Sequence, residues 1–162
     1  MTDFEKRLAK AIERGTQRSE EKNKAAKAAA MNQAELKKLH TKFRLHLSER
    51  IEECMKQLPN HFPGFQFETI FGEKGWGAGC SRDDVGAGVD GRRTNFYSRL
   101  EMTIRPYSDM DVVDLAAKGT IRNKEVIRQN HFELIQDADM ETFENLIDVW
   151  VLDYAELYSA KK

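Results

Sequence analysis

Proline is scarce in this chain, with three residues in 162 and none before position 59. Residues 2–58 also hold a single glycine, Gly15, amid abundant Ala, Lys, Glu, Leu, Gln and Arg. Those helix formers predict helix across the segment. Pro59 and Pro63 are expected to end it, because proline lacks a backbone donor and clashes with the preceding turn. A run of about 18 apolar residues is missing too, which excludes a membrane-spanning helix. The opening "MTDFEKRLAKAIERG" has no apolar stretch of the secretory kind. Only two cysteines occur, Cys54 and Cys80, 26 positions apart in unlike surroundings. They make neither a disulfide framework nor a zinc pattern, and they suit a reducing compartment, the cytoplasm by default.

Net charge is almost absent, at −1, although a third of the residues are charged. A dedicated nucleic-acid-binding domain is usually basic overall, so the balance argues against that class. The distribution is uneven: residues 1–60 carry +5, residues 61–136 carry −1 and residues 137–162 carry −5. A basic beginning and an acidic end invite mutual attraction, within one chain or between two. The length suits one globular domain with an appended element.

The helical segment has two characters. Leu36, Leu39, Phe43, Leu47, Ile51, Cys54 and Leu58 recur at three- and four-residue steps, one apolar stripe made for a core. Before them, Phe4, Leu8 and Ile12 are followed by no large hydrophobe until Met31. Residues 1–30 therefore read as a solvated helical arm, with an alanine-lined contact to a second chain as the alternative. A sustained heptad is missing, so no extended coiled coil follows. Residues 31–162 read as one α+β domain: helix about 31–58, strands about 65–135, helix about 139–159.

After "PNHFPG" the period changes to two. Phe65, Phe67 and Phe71 begin a first strand, and residues 76–82 form its partner across the turn "GEKG". In "FYSRLEMTIR", Phe96, Leu100, Met102 and Ile104 oppose Tyr97, Arg99, Glu101, Thr103 and Arg105. Val113, Leu115, Ala117 and Ile121 mark a further strand, "RNKE" a turn, and "VIRQNHFELI" the last strand. Short links between four or five strands predict an antiparallel meander with one buried face. The ending carries Met140, Phe143, Leu146, Ile147, Trp150, Tyr154, Leu157 and Tyr158 on a wide apolar stripe, with Asp137 or Asp139 as its cap. This C-terminal helix is expected to pack beside the N-terminal one on the same sheet face.

Six of the ten glycines crowd into "KGWGAGCSRDDVGAGVDGRR", residues 74–93. Gly86, Gly88 and Gly91 match G-x-G-x-x-G, but the continuation is strand-like, and no helix opens to meet a pyrophosphate. Lys74 precedes the glycines instead of closing a P-loop. The stretch reads as a short strand, 76–82, followed by a mobile connection, 83–94. Asp83, Asp84 and Asp90 follow no metal-binding spacing, and solvated turn carboxylates are the simpler account. Cys80, near Arg82, is either an activated thiol or a small strand residue packed beside Trp76; the second is the ordinary reading. His40, His46, His61 and His131 show neither ligand spacing nor a triad. No cofactor, metal or catalytic residue follows from these patterns.

The polar side of the sheet offers a candidate binding surface: Trp76, Arg82, Arg92, Arg93, Tyr97, Arg99, Arg105, Lys118 and Arg122. Basic residues among aromatics can hold phosphates and stack bases. Interleaved Glu101, Asp114, Glu125 and Glu133 equally allow cross-strand charge pairs. The leading expectation is a non-enzymatic protein–protein interaction module that self-associates through the N-terminal helix. The alternatives are nucleic-acid or anion binding on the arginine-bearing face, and a small-ligand site under the glycine-rich loop near Trp76, Cys80 and Trp150.

Overall fold

The computed structural model describes residues 2–29, 33–88 and 90–160. The chain divides into two compact units, Met1–Leu36 and Lys37–Lys162. The first is dominated by α1, Asp3–Ala29. Thr2 starts it: its hydroxyl oxygen accepts the Glu5 backbone N–H at 3.2 Å. Asp3 and Glu5 in the first turn suit the positive end of the helix dipole. The described side chains of α1 are all exposed. The side chains of residues 25–30 and Met31, where an alanine-lined contact is expected, lie outside the described set.

The second unit takes in most of α2 (Gln33–Met55), the single turn α3 (Leu58–His61), strands β1 (Gln66–Ile70), β2 (Trp76–Ala87), β3 (Arg93–Ile104), β4 (Val112–Ile121) and β5 (Lys124–Leu134), and α4 (Met140–Ala160). Pro59 does not close the long helix. It sits in the first turn of α3, where its missing N–H would have had no helical partner. The five strands form one antiparallel sheet in sequence order, as the alternation predicts. β4 turns into β5 through Arg122 and Asn123, whose φ values of 47° and 71° match a two-residue hairpin turn. Asn123 holds that turn against β3: its side-chain oxygen accepts Tyr97 N–H at 2.8 Å, and its amide donates to the Asn95 carbonyl at 3.0 Å.

One correction concerns the glycine-rich stretch. Residues 83–87 and 93–94 are strand, paired from Asp83↔Tyr97 to Ala87↔Arg93, so the connection spans only 88–92. Four glycines of the stretch lie within β2 or immediately before it, and three of them, Gly75, Gly77 and Gly79, are packing glycines. A Cβ on Gly75 would fall 2.5 Å from the Ile104 carbonyl oxygen. A Cβ on Gly77 would overlap the Met102 carbonyl, and one on Gly79 would meet the Arg99 guanidinium at 2.7 Å. These strands cross closely because no side chain intervenes.

The register sends Ala78, Cys80, Leu100, Met102, Ile104, Leu115, Ala117 and Ile121 to the face beneath the helices, where all are buried. From α2 come Leu47, Ile51 and Met55; from α4 come Phe143, Ile147, Trp150, Val151, Tyr154 and Tyr158. The two helices are joined by Arg50 to Asp148 at 2.5 Å and by His46 to Glu144. Asp139 begins α4: its carboxylate accepts the Thr142 hydroxyl at 2.8 Å. Two assignments along α4 shift. Leu157 is exposed, and Val151 is buried in its place on the core stripe. Among the described residues no helix is long and apolar enough to cross a membrane.

Candidate functional site

Strand alternation decides which of the nine candidate residues can act together. Arg93, Tyr97, Arg99, Arg105 and Lys118 fall on the open face of the sheet, away from the helices. Trp76 and Arg82 fall on the helix face. Arg122 occupies the β4–β5 turn with its guanidinium 4.4 Å from the Phe96 ring centre, and Arg92 lies in the exposed 88–92 connection. The set is therefore two groups and two residues in separate connections, Arg92 and Arg122, not one surface.

On the open face the charges are largely spoken for. Arg99 lies across Gly79 and is held by Glu68 at 2.6 Å and Glu101 at 3.3 Å, leaving its side chain 19% exposed. Burial pulls its pKa down, but the Glu68 hydrogen bond and the Glu101 charge outweigh this and hold it raised. Arg105 faces Asp114 at 3.6 Å, and Arg128 faces Glu125 at 4.0 Å. In register, Glu101 stands directly opposite Lys118. A depression of about 680 Å³ on this face is lined by Arg105, Asp114, Glu101, Lys118 and Arg128 among others, a mixed-charge wall around Thr103 and Ala116. An anion on Arg105 or Arg128 competes with the carboxylates paired to them, while Lys118 has no ion pair among the described residues.

The helix-face group is consumed by structure. Trp76 lies under the Arg44 guanidinium, 4.0 Å from its ring centre. Arg82 donates to the Pro63 carbonyl at 2.6 Å and to Asp84 at 2.9 Å. Cys80 is fully buried and its thiol donates to the Met55 carbonyl at 3.1 Å, so it has no surface to offer a ligand. Burial pushes its pKa up to about 11. Trp150 lines a groove between α4 and β5 with Val126, Asp153, Glu156 and Leu157.

One groove does gather a cysteine, a histidine and an aspartate. Between α2 and α4, Cys54, His61 and Asp148 share a depression of about 660 Å³ with Leu58, Val151 and Leu152. Its electrostatics oppose nucleophilic chemistry. The Cys54 thiol donates to Asp148 at 3.4 Å, and burial first, then that carboxylate, push its pKa up to about 11. Asp148 is itself held below the usual carboxylate range by the Arg50 guanidinium. The thiolate fraction at pH 8 is then about one in a thousand. Alkylation of the folded chain at pH 8 should run about a hundredfold slower than alkylation of the urea-unfolded chain. Mass spectrometry of quenched samples measures this, and equal rates would contradict it.

His40 is buried on α2 with its ring edge toward Tyr107, centres 5.8 Å apart. Burial lowers its pKa, a hydrogen bond to the Arg105 backbone opposes this, and Nε2 has no partner among the described residues. It is a core histidine. Among the described residues no group of three or more His, Cys, Asp or Glu side chains is placed to hold a metal ion.

Among the described residues, two helices carry more than one exposed large apolar side chain. On α1, Phe4, Leu8 and Ile12 are 71%, 48% and 61% exposed. On α4, Val149, Leu152 and Leu157 point outward. The α1 stripe is legible in the sequence as spacing; the α4 stripe is hidden there because its apolar residues merge with the wide core stripe beside it. No protein-family model matches the chain, and neither a curated protein nor a solved structure shows a significant match to it.

Proposed function

We propose that this chain acts by binding and not by catalysis, as a cytoplasmic protein–protein interaction module that joins a second copy of itself through α1. The observation that carries the reading is the row Phe4, Leu8 and Ile12, three large apolar side chains on successive turns of one helix face, all left in water. Covering each one stabilises an assembly by roughly 1.5–3 kcal/mol before entropic costs. A 27-residue helix with no other large hydrophobe among its described side chains gains little from propensity alone, so a partner that buries the stripe also holds the helix. Free thiols at Cys54 and Cys80 suit a reducing compartment.

The test is size-exclusion chromatography with light scattering on the full chain and on Leu8→Glu. The wild type should run as a dimer or larger, and the variant should weaken self-association by about tenfold or more. At a protein concentration low enough that both are monomeric, the β-sheet unit should unfold at the same urea midpoint in wild type and variant. A variant that associates as the wild type does would remove α1 from the interface.

A further inference from the structure

We propose that α1 docks on the outward face of α4 in a second copy, an inference that rests on α1 driving self-association. Over its 21 residues α4 carries Glu141, Glu144, Asp148, Asp153 and Glu156 and no lysine or arginine. Two of these acids are occupied, Glu144 by His46 and Asp148 by Arg50. Glu141, Asp153 and Glu156 have no ion pair among the described residues. Helical spacing places Val149, Leu152, Asp153 and Glu156 on one arc. Leu152 is 67% exposed there. The outward face of α4 is thus an apolar crest with bare carboxylates beside it.

The charge-matched counterpart is α1. At 100° per residue, Arg7, Arg14 and Arg18 run along one flank of the Phe4–Leu8–Ile12 stripe. None of the three has an ion pair among the described residues. A basic-flanked apolar stripe laid on an acidic-flanked apolar crest buries both stripes and brings unlike charges together at the rim. Exchange of arms about a two-fold axis would make the contact twice, which is why a second copy, and not an unrelated basic helix, is the occupant. Pairing of two copies along the β5 edge would instead bring two acidic α4 helices side by side, since α4 packs over β5 through Phe143 and His131, 5.2 Å apart.

The experiment is a charge exchange in the full chain, read by light scattering at low salt. One variant is R7E/R14E/R18E and the other D153K/E156K. Each alone should dimerise about tenfold or more weakly than the wild type, because each sets like charges across the contact. Mixed one to one, they should recover a dimer, since every contact in the heterodimer again joins opposite signs. All five positions are on helix surfaces, and recovery on mixing proves both variants folded. If D153K/E156K dimerises as the wild type does while Leu8→Glu does not, α1 docks elsewhere: the inference falls and self-association stands. If both variants are monomeric alone and in the mixture, the inference falls as well. A monomeric wild type overturns both.

Discussion

Replacing Tyr154 with alanine should lower the unfolding free energy by about 3–5 kcal/mol, the range for truncating a large buried aromatic. Its side chain is fully buried where α4 crosses the sheet. The ring fits because β4 carries Gly119 beneath it; a Cβ there would sit 3.0 Å from the ring. The hydroxyl donates to the Thr120 carbonyl at 2.8 Å, beside the register shift between Gly119 and Thr120. Tyr154 also lies nearly parallel to Tyr158, whose ring meets Phe62 and Phe65 edge-on at 4.9 and 5.0 Å. Truncation therefore opens a cavity, removes a hydrogen bond from a half-buried carbonyl and loosens an aromatic cluster. Tyr154→Phe keeps the packing and should cost only about 1 kcal/mol, the net worth of the hydrogen bond. Urea unfolding followed by tryptophan fluorescence reads both. An alanine variant within 1 kcal/mol of the wild type would mean that α4 does not anchor the sheet here.

Gly77→Ala should destabilise by about 2–4 kcal/mol, an overpacking cost raised by the rigidity of the atom it strikes. The added methyl overlaps the Met102 carbonyl oxygen, which is backbone and cannot rotate away. β2 and β3 must then part near the Gly77↔Thr103 pair, beside the buried Ala78↔Met102 pair and the Trp76↔Ile104 pair. The same substitution at Gly79 meets the end of the Arg99 side chain, which can swing aside. Gly79→Ala should therefore cost less in packing and show its effect in the loosening of Arg99 from Glu68. Equal stability of Gly77→Ala and the wild type, measured by thermal unfolding, would refute the close-crossing account.

These glycines also mark the limit of what the sequence discloses. The period-two alternation from Phe96 to Ile104 and from Val113 to Ile121 identifies both strands and their buried sides, because a sheet with one wet face imposes that pattern residue by residue. Residues 83–87 lack the signal: "DDVGA" has no alternation of apolar side chains, yet it pairs with 93–97 as the outer end of a long hairpin. Backbone pairing alone forms that end, and it writes little into side-chain chemistry. Glycine density likewise carries two opposite meanings, flexibility or close approach, which only the partner strand distinguishes.

The candidate surface was partly legible for the same reason. Alternation puts Tyr97, Arg99 and Arg105 together on one face. It cannot reveal that Glu68, thirty-one positions from Arg99 in sequence, reaches across β2 to neutralise it. Nor does it separate Arg82 and Trp76, whose face is set by the β2 register. The α1 stripe needed no tertiary information, since Phe4, Leu8 and Ile12 share a helix face by spacing alone. The acidic crest of α4 did need it, because Leu152 and Trp150 are equally apolar in sequence and differ only in which one the sheet covers.

Self-association through α1 is the central claim, and sedimentation equilibrium over a hundredfold range of concentration addresses it most directly. The full chain should fit a monomer–dimer equilibrium with a protomer of 18.7 kDa, and Leu8→Glu should shift that equilibrium toward the monomer. A single 18.7 kDa species at every concentration, for the wild type and variant alike, would contradict the account.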